Sequence, residues 1–471
     1  MRLRYVAVRI CFGRRAKRLI IIDKIFTLLY NFRIAFGVRR YLETSGKYES
    51  KFQRLCLSCD AFTTGYLVMC LLFFVPYAAS APGITVMWLM PAACLVPFVL
   101  LPLFYWLIHR SDTLLFGRYH FALPVSAFVA ALFFVMAWSA DRAAPSQICL
   151  VFFGALFFTS AVTVYRYCAF SVRARLTGSG IVSTAPLYEM LCTLGAGAVI
   201  ATLAGFLSYD NATAYINTSY VIGAVGVLLA FTQYLVTHYG IPRLGGVRKR
   251  SRPIKSVFGT FFGGLDKRMY FSALLFQSAF ASVAAVTVYF GFSSGAGVYE
   301  TVICSAVLVF VYAIAACACT RIVKRRTLML SVTEFVCAAL ACVILVLAAT
   351  LHPSGNALLA CLMIASALTG IGGAVAVRQT KLRFLSVKPH ITVGTVYILL
   401  ELTMLASAAV AFTVAAASAT AYTLTGGLVS FVYGFAATAL FAAVALALAG
   451  HGKSADPDEP ENTAEITPVY K

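Results

Sequence analysis

Twelve long apolar stretches limit what this 471-residue chain can fold into more than any other feature. A helix that crosses the apolar core of a bilayer needs about 20 mainly apolar residues. Stretches of about that length lie at 56–78, 83–108, 120–138, 146–168, 182–207, 219–238, 270–291, 297–319, 327–350, 357–377, 391–416 and 423–450. Only 12% of the residues are charged, against about 25% in soluble proteins. We therefore predict an all-α integral membrane protein with twelve transmembrane helices.

Basic residues concentrate in every second connection between these stretches. They are Arg110 and Arg118; Arg173 and Arg175; eight Lys and Arg residues between 243 and 268; Arg321, Lys324, Arg325 and Arg326; and Arg378, Lys381, Arg383 and Lys388. The opposite connections hold almost no Lys or Arg, with Arg142 as the exception. Cytoplasmic loops carry such an excess, so we predict a multi-pass protein of the cytoplasmic membrane with both termini in the cytoplasm. The same bias explains the net charge of +21 without nucleic acid as a partner.

The basic segment near the middle of the chain divides the stretches six and six. We predict a basic cytoplasmic extension (1–54), an N-terminal six-helix bundle (55–238), a basic cytoplasmic linker (239–269), a C-terminal six-helix bundle (270–450) and an acidic disordered tail (451–471). The halves resemble each other weakly, since Leu187–Leu191 and Leu399–Thr403 each carry a glutamate within an apolar run. Two six-helix pseudo-repeats suit a transporter in which one half rocks against the other.

A few charged residues lie inside the apolar stretches. They are Asp60, Arg166, Glu189, Glu334 and Glu401. Charge at the bilayer centre is costly, so such residues usually face a cavity or a partner. We expect Arg166 to pair with Asp60 or Glu189 across a central cavity, with the charges at similar mid-depth. The alternative is that these charges only fix helix packing, or lie close enough to a helix end to reach the membrane surface. We favour this alternative for Glu334, because it lies seven residues from the start of its helix.

Tyrosines accompany two of the glutamates. Tyr188 precedes Glu189, and Tyr397 lies one helical turn before Glu401. Aromatic faces beside carboxylates suit sugars, which offer apolar ring faces and hydroxyl donors. Most other tyrosines fit an interfacial aromatic belt.

The sequence contains none of the common enzyme or metal-binding motifs that we considered. The 14 cysteines include a CxxC at Cys56 and Cys59 and a CxC at Cys317 and Cys319, but no second pair at zinc spacing. HExxH, Walker A and GxSxG motifs do not occur, and Gly370–Gly373 is interpreted as close helix packing. We expect no enzymatic activity, no metal and no cofactor other than a coupling proton or Na⁺.

Three segments resemble the major facilitator superfamily, and more narrowly its glycoside–pentoside–hexuronide:cation symporters, the melibiose permease group. They are Asp60–Gly65 followed by Phe73-Phe74; Pro102–Leu107 with Arg110-Ser111 and Gly117-Arg118; and the region from Lys267 to Arg326. The resemblance implies a sugar contact for Asp60. It also implies cation-binding aspartates in the second helix and a lysine in the eleventh.

This chain departs from that pattern at the coupling positions. It has Pro97 and Leu101 at the positions of the two aspartates, and Glu401 in place of the lysine four residues after Tyr397. Sodium coupling through the usual site is therefore not expected. A proton on Glu189 or Glu401 is the alternative.

The sequence therefore predicts a secondary active transporter of a small polar solute, a sugar or glycoside above all, which works by alternating access. Substrate-binding or coupling roles fall to Asp60, Arg166, Tyr188, Glu189, Tyr397 and Glu401. A cytoplasmic gate is assigned to Arg110, Arg118, Arg321, Lys324, Arg325 and Arg326. The expected partners are the solute and the lipid bilayer, with the chain as a monomer. Two other interpretations stay open: a protein of this fold that has lost ion coupling and acts as a facilitator, receptor or scaffold, and a membrane-embedded lipid-modifying enzyme.

Overall fold

The computed structural model describes residues 61–67, 88–110, 122–139, 147–177, 186–207, 212–240, 267–296, 298–322, 328–385 and 393–450, and these are almost entirely helical. The helices are α1 (61–67), α2 (Leu89–Arg110), α3 (Ala122–Trp138), α4 (Ile148–Thr177), α5 (Pro186–Leu207), α6 (Ala212–Gly240), α7 (Lys267–Ser293), α8 (Val298–Ile322), α9 (Leu328–Leu351), α10 (Asn356–Leu385), α11 (Val393–Thr425) and α12 (Ser430–Gly450). No strand occurs within these ranges. The predicted all-α architecture is confirmed.

Seven helices of the described residues are long and apolar enough to cross a membrane. Their apolar spans are Ile148–Ala169, Tyr270–Ser293, Glu300–Thr320, Leu328–Leu351, Asn356–Leu382, Ile398–Thr425 and Ser430–Ala449. Shorter apolar helical segments occupy Leu89–Tyr105, Ala122–Ala137, Leu187–Val199 and Tyr220–Leu235. All eleven coincide with stretches that the sequence predicted to span the bilayer.

The junction between the last two helices was predicted wrongly. The expected break between 416 and 423 is helical, and α11 continues to Thr425. Alanine is the strongest helix former, and the alanine-rich end of α11 propagates the helix until Gly426. Gly426 has a φ of +69°, and its N–H bonds to the carbonyl of Tyr422, which is how a glycine closes a helix C-terminus.

The basic residues after 377 also lie in a helix, whereas the sequence analysis placed them in a loop. Helix α10 runs to Leu385 and includes Arg378 and Lys381. Arg378 is buried and Lys381 is half-buried. The predicted end of a membrane span falls at the first cluster of polar residues, because hydropathy drops there. The helix itself can continue beyond that point when neighbouring helices supply partners for the polar side chains.

Each half of the chain packs mainly on itself. In the first half α3 lies between α4 and α6, and α2 contacts α4; in the second, α7 contacts α10, α11 and α12, while α10 contacts α8 and α9. The halves meet where α5 contacts α8 and where α11 contacts α2 and α4. Buried Tyr66, Leu101 and Tyr165 of the first half share one apolar cluster with Val309 and Leu399 of the second.

Neighbouring helices run in opposite directions, since the start of α4 packs on the end of α3 at Gly154 and Ala137, and the start of α9 contacts the end of α10 at Ser331 and Gln379. We call "the basic end" the end of the bundle at which α2, α4, α8 and α10 finish and α7, α9 and α11 begin. Arg110, Lys267, Arg268, Arg321, Arg378 and Lys381 lie toward this end. It is the side that the sequence predicts to face the cytoplasm.

Candidate functional site

An ion pair joins the two halves of the chain. Nη2 of Arg166 on α4 lies 3.1 Å from Oε1 of Glu401 on α11. The Arg166 side chain is 17% exposed and that of Glu401 is 2% exposed. The same Nη2 donates to the thioether sulfur of Met404, at 2.7 Å, one turn further along α11. The carboxylate is thus held within the protein by a cation from the opposite half.

Packing on both helices fixes the two charged groups in place. Arg166 lies between Tyr165 and Tyr167, both buried, and the ring of Tyr167 packs edge-on against Tyr105 of α2 at 5.7 Å between centroids. Glu401 lies between the buried Leu400 and Leu402. Both helices are thus packed tightly into the protein on either side of the two charged residues.

The pair lies between the centre of the bundle and the basic end. Arg166 is 11 residues before Thr177, the last residue of α4, and Glu401 is eight residues after Val393, the first residue of α11. The pair is therefore two to three helical turns from these helix ends. The mid-depth position expected from the sequence stays a prediction.

The predicted partners of Arg166 were Asp60 and Glu189, but its ion pair is with Glu401. Sequence alone could not identify this partner, because the contact depends on how α4 lies against α11. The carboxylate is not fully satisfied, since Oε1 of Glu401 accepts no hydrogen bond from a described residue. Lys381 of α10 also acts electrostatically on the Glu401 carboxylate, and Arg166 acts on Tyr312 of α8.

A cavity lies between α7, α8 and α10, toward the end of the bundle opposite the basic end. Its volume is about 20 Å³, which is room for about one water molecule. Its polar lining consists of Thr287, Thr301, Cys304, Ser305 and Ser366. Apolar residues such as Val288 and Leu308 make up the rest, and no charged side chain lines it. No sequence pattern identifies these residues, because isolated Ser and Thr in apolar helices are also typical of ordinary helix packing.

The other predicted binding residues are only partly described, and their role stays a prediction. Glu189 is half-buried in the first turn of α5, and Tyr188 beside it is 45% exposed. Glu189 is the fourth residue of α5, and Glu401 is the ninth residue of α11. Asp60 lies outside the described residues, as does the side chain of Tyr397.

The predicted gate residues are largely outside the described part of the chain. Arg110 is the last residue of α2 and Arg321 lies in the last turn of α8, but their side chains are not described. Arg118, Lys324, Arg325 and Arg326 lie wholly outside the described residues. Their gate role stays a prediction.

A second polar cluster lies at the basic end, entirely within the second half. Glu334 of α9 is 1% exposed, so it does not reach the interface as its position suggested. Glu334 and Arg378 both act electrostatically on the Cys319 thiol of α8. In addition, Ser331 donates to Gln379 at 3.5 Å and Gln277 of α7 donates to Thr380 at 3.0 Å. The cluster is therefore a packing element that ties four helices together, the other role considered for Glu334.

The glycines of α10 show the close helix packing that the sequence predicted. A Cβ on Gly370 would lie 2.8 Å from the carbonyl oxygen of Leu308 and 3.0 Å from the backbone nitrogen of Tyr312. The backbones of α8 and α10 approach each other at this point, which only glycine allows. Among the residues the structure covers, no group of three or more His, Cys, Asp or Glu side chains could hold a metal ion.

Solved structures of transporters share this fold. The nucleoside transporter NupG superposes with a TM-score of 0.57 and 12% sequence identity, covering 85% of this chain and 100% of that chain. A POT family transporter in complex with 5-aminolevulinic acid gives a TM-score of 0.61 and 10% identity, with 84% and 95% covered. One in complex with a thioalcohol-conjugated peptide gives 0.60 and 10%, with 85% and 95% covered.

These likenesses confirm the predicted fold, which is of the major facilitator type. No protein-family model and no curated protein sequence matches the chain. The narrower resemblance to the melibiose permease group therefore stays a prediction.

Proposed function

We propose that this protein is a secondary transporter that moves a small, uncharged polar solute across a membrane by alternating access. The observation that carries the proposal is the Arg166–Glu401 ion pair, which joins the two halves of a transporter-type fold. In a carrier whose halves rock against each other, a contact between the halves forms in one state and breaks in the other.

The small cavity of the second half would have to widen to take a solute, and its lining favours a neutral one. Hydroxyl groups and one thiol offer hydrogen bonds there, and no lining residue would hold a charged group. A sugar or glycoside fits this chemistry, as does a nucleoside, the substrate class in the name of NupG. Sugars and nucleosides both carry several hydroxyl groups that exchange donors and acceptors with Ser and Thr.

A coupling proton has a candidate acceptor in Glu401. Protonation of this carboxylate removes its attraction for Arg166, which would release this contact between the two halves. Glu189 is the other candidate from the sequence. We expect that Glu401→Gln uncouples uptake from a pH gradient while downhill exchange of solute continues. Glu334→Gln is the matched control, because Glu334 is equally buried but lies within a single half.

The test is uptake by the purified full-length chain in liposomes. Sugars, glycosides, nucleosides and small peptides are first screened by thermal shift in detergent, because a bound solute stabilises the folded state in proportion to occupancy. Stabilising solutes are then offered as radiolabelled substrates with and without a proton or sodium gradient. Saturable uptake supports the proposal. Binding without uptake would instead favour a receptor or scaffold.

Two further outcomes refine the proposal. Uptake that only equilibrates solute, whatever the gradient, identifies a facilitator. Unchanged pH-driven uptake in the double variant Glu189→Gln, Glu401→Gln excludes both glutamates as the proton site.

A further inference from the structure

A proline interrupts the backbone hydrogen bonds of α2, although the helix continues through it. Pro97 is buried and lies inside α2. Because proline has no backbone N–H, the carbonyl of Ala93, four residues earlier, has no helical donor. Ala93 is fully buried, and a buried carbonyl without a donor is costly.

A threonine of α4 supplies the missing donor. The Thr159 hydroxyl donates to the Ala93 carbonyl at 2.8 Å, and Thr159 is itself buried. Hydroxyl side chains of neighbouring helices are one way in which membrane helices satisfy the backbone groups that a proline frees. The hydrogen-bond gap at Pro97 is therefore closed from outside α2.

The same hydroxyl also has acceptors on its own helix. Its oxygen lies 2.9 Å from the carbonyl oxygen of Ala155 and 3.0 Å from that of Leu156. A hydroxyl has one proton to donate, so Thr159 serves either α2 or α4 at any moment. If α2 bends away, the hydroxyl keeps a hydrogen bond by turning to α4. The region from Ala93 to Pro97 therefore has the properties of a hinge.

The hinge separates two parts of α2 that pack in different places. Before it, Met90 belongs to an apolar cluster that includes Phe412 of α11. After it, Leu101 belongs to another apolar cluster, which includes Leu399 of α11. Helices α2 and α11 belong to different halves and are in contact. The part of α2 before Pro97 must therefore leave α11 when the end of the bundle opposite the basic end opens.

We propose that Thr159 is a positioning residue for transport, which holds the α2 hinge straight while the end opposite the basic end is closed. When that end opens, the hydroxyl donates within α4, and water from the opened side solvates the Ala93 carbonyl. Thr159 does not contact the solute. This inference rests on the proposed function, since it assumes that the two halves move apart.

Double electron–electron resonance in liposomes measures the opening without a substrate. One spin label is placed on the native Cys149 at the start of α4 and the other on Leu351→Cys at the end of α9, in a full-length chain without other cysteines. Both positions are exposed, lie at the end opposite the basic end and belong to different halves. The fraction of molecules with the long distance reports how often that end is open.

Thr159→Val removes the donor from a side chain of similar shape. We expect it to raise the ratio of open to closed molecules about fivefold, because the Ala93 carbonyl then lacks a donor in the closed state. Thr159→Ser keeps the hydroxyl and should keep the wild-type ratio. In the Pro97→Ala background the N–H of residue 97 becomes the donor, so Thr159→Val should change the ratio by less than about twofold.

Thr163→Val is the matched control. Thr163 lies one turn further along α4, is also buried, and donates to the carbonyl of Thr159 in its own helix at 2.8 Å. Its substitution removes a buried hydroxyl without touching the hydrogen bond to α2. It should leave the ratio of open to closed molecules unchanged in both backgrounds.

The proposal is overturned if Thr159→Val leaves the ratio unchanged, or changes it equally in both backgrounds. Either result leaves the proposed function standing, because the wild-type chain still shows two distances. If Thr159→Val does not fold, thermal unfolding of the same substitution in the Pro97→Ala background decides: a folded variant supports the proposal, and an unfolded one contradicts it. A single distance in the wild-type chain, at neutral and acidic pH and with every stabilising solute, would contradict the proposed function as well.

Discussion

Arg166 and Glu401 show how the local environment decides what a charge in a membrane helix does. Each residue alone would be costly in an apolar span. Together they form a pair that is shielded from solvent and joins helices of different halves. Desolvation offsets much of the attraction in such a pair, whereas the loss of one partner leaves a buried charge uncompensated. The pair is therefore expected to add little net stability, whereas the loss of either partner alone is costly.

Because the loss of one partner costs more than the loss of both, single and double substitutions of this pair should change the unfolding free energy differently. Arg166→Met should lower the unfolding free energy by about 3 kcal/mol, because Glu401 loses its closest counter-ion. The double variant Arg166→Met, Glu401→Leu should recover most of that loss, because no buried charge remains. Thermal unfolding in detergent measures both. Equal melting temperatures for the single and double variants would show that the pair is not coupled.

Close packing between helices follows from the distribution of small residues. Gly154 and Gly226 lie against Ala137 and Tyr66 in the first half, as Gly370 lies against the backbone of α8 in the second. Without a hydrophobic force between helices in lipid, such close contacts supply much of the association energy. The glycines, which have no side chain, thus determine where two helices come closest, and larger side chains determine where they stay further apart.

Gly370→Ala should destabilise the protein by about 1–3 kcal/mol, the usual cost of overpacking. The added methyl group would meet backbone atoms of α8, which cannot move as a side chain does. Gly197→Ala is the matched control, because its Cβ would lie 3.7 Å from Cγ1 of Val309, an ordinary contact. That variant should be neutral or slightly more stable, since alanine favours helix. Equal melting temperatures for the two would contradict the packing seen at Gly370.

The turn between α11 and α12 allows the energetic cost of a left-handed backbone conformation to be measured where no side-chain packing contributes. Gly426 has a positive φ, and no atom lies within 4 Å of a Cβ built on it. Gly426→Ala should therefore cost about 1–2 kcal/mol, entirely from the left-handed conformation. Gly427→Ala, one residue on in open space, should cost much less. The comparison needs only the unfolding temperatures of the two variants. A larger loss at 427 than at 426 would disprove the assignment of the helix end.

At the scale of the whole molecule, the two halves meet along α5–α8 and α2–α11, while the charged residues gather at one end. This arrangement gives the protein a direction in the membrane. The positive-inside rule then predicts that the basic end faces the cytoplasm. The Arg166–Glu401 pair would then lie between the centre of the bundle and its cytoplasmic end.

Thiol labelling tests that orientation. Cys149 is exposed at the start of α4, at the end opposite the basic end. A variant with Cys149 as its only cysteine should react with a membrane-impermeant maleimide added outside intact cells. A variant with Arg268→Cys as the only cysteine should react only after the cells are opened. The reverse pattern would place the basic end outside and overturn the predicted topology.

The sequence by itself determined the class of structure. Runs of about 20 apolar residues leave a chain few choices except membrane-spanning helices, since the backbone must satisfy its own hydrogen bonds in lipid. The apolar runs therefore predicted the helices that the structure describes, and Gly370–Gly373 predicted close packing. Helix ends were less predictable, as α10 and α11 show, because hydropathy does not report where a polar turn finds partners inside the bundle.

Only the tertiary structure decided which charges meet. Arg166 and Glu401 are 235 residues apart in sequence, and no local pattern distinguishes Glu401 from Glu189 as the partner. The choice depends on the rotation of α4 and α11 about their axes and on how the two halves dock. The burial of Glu334 and Arg378 and the position of Lys381 depend on helix packing in the same way. An ion pair is a property of distance in space, and in a bundle of long helices that distance is set by packing rather than by sequence separation.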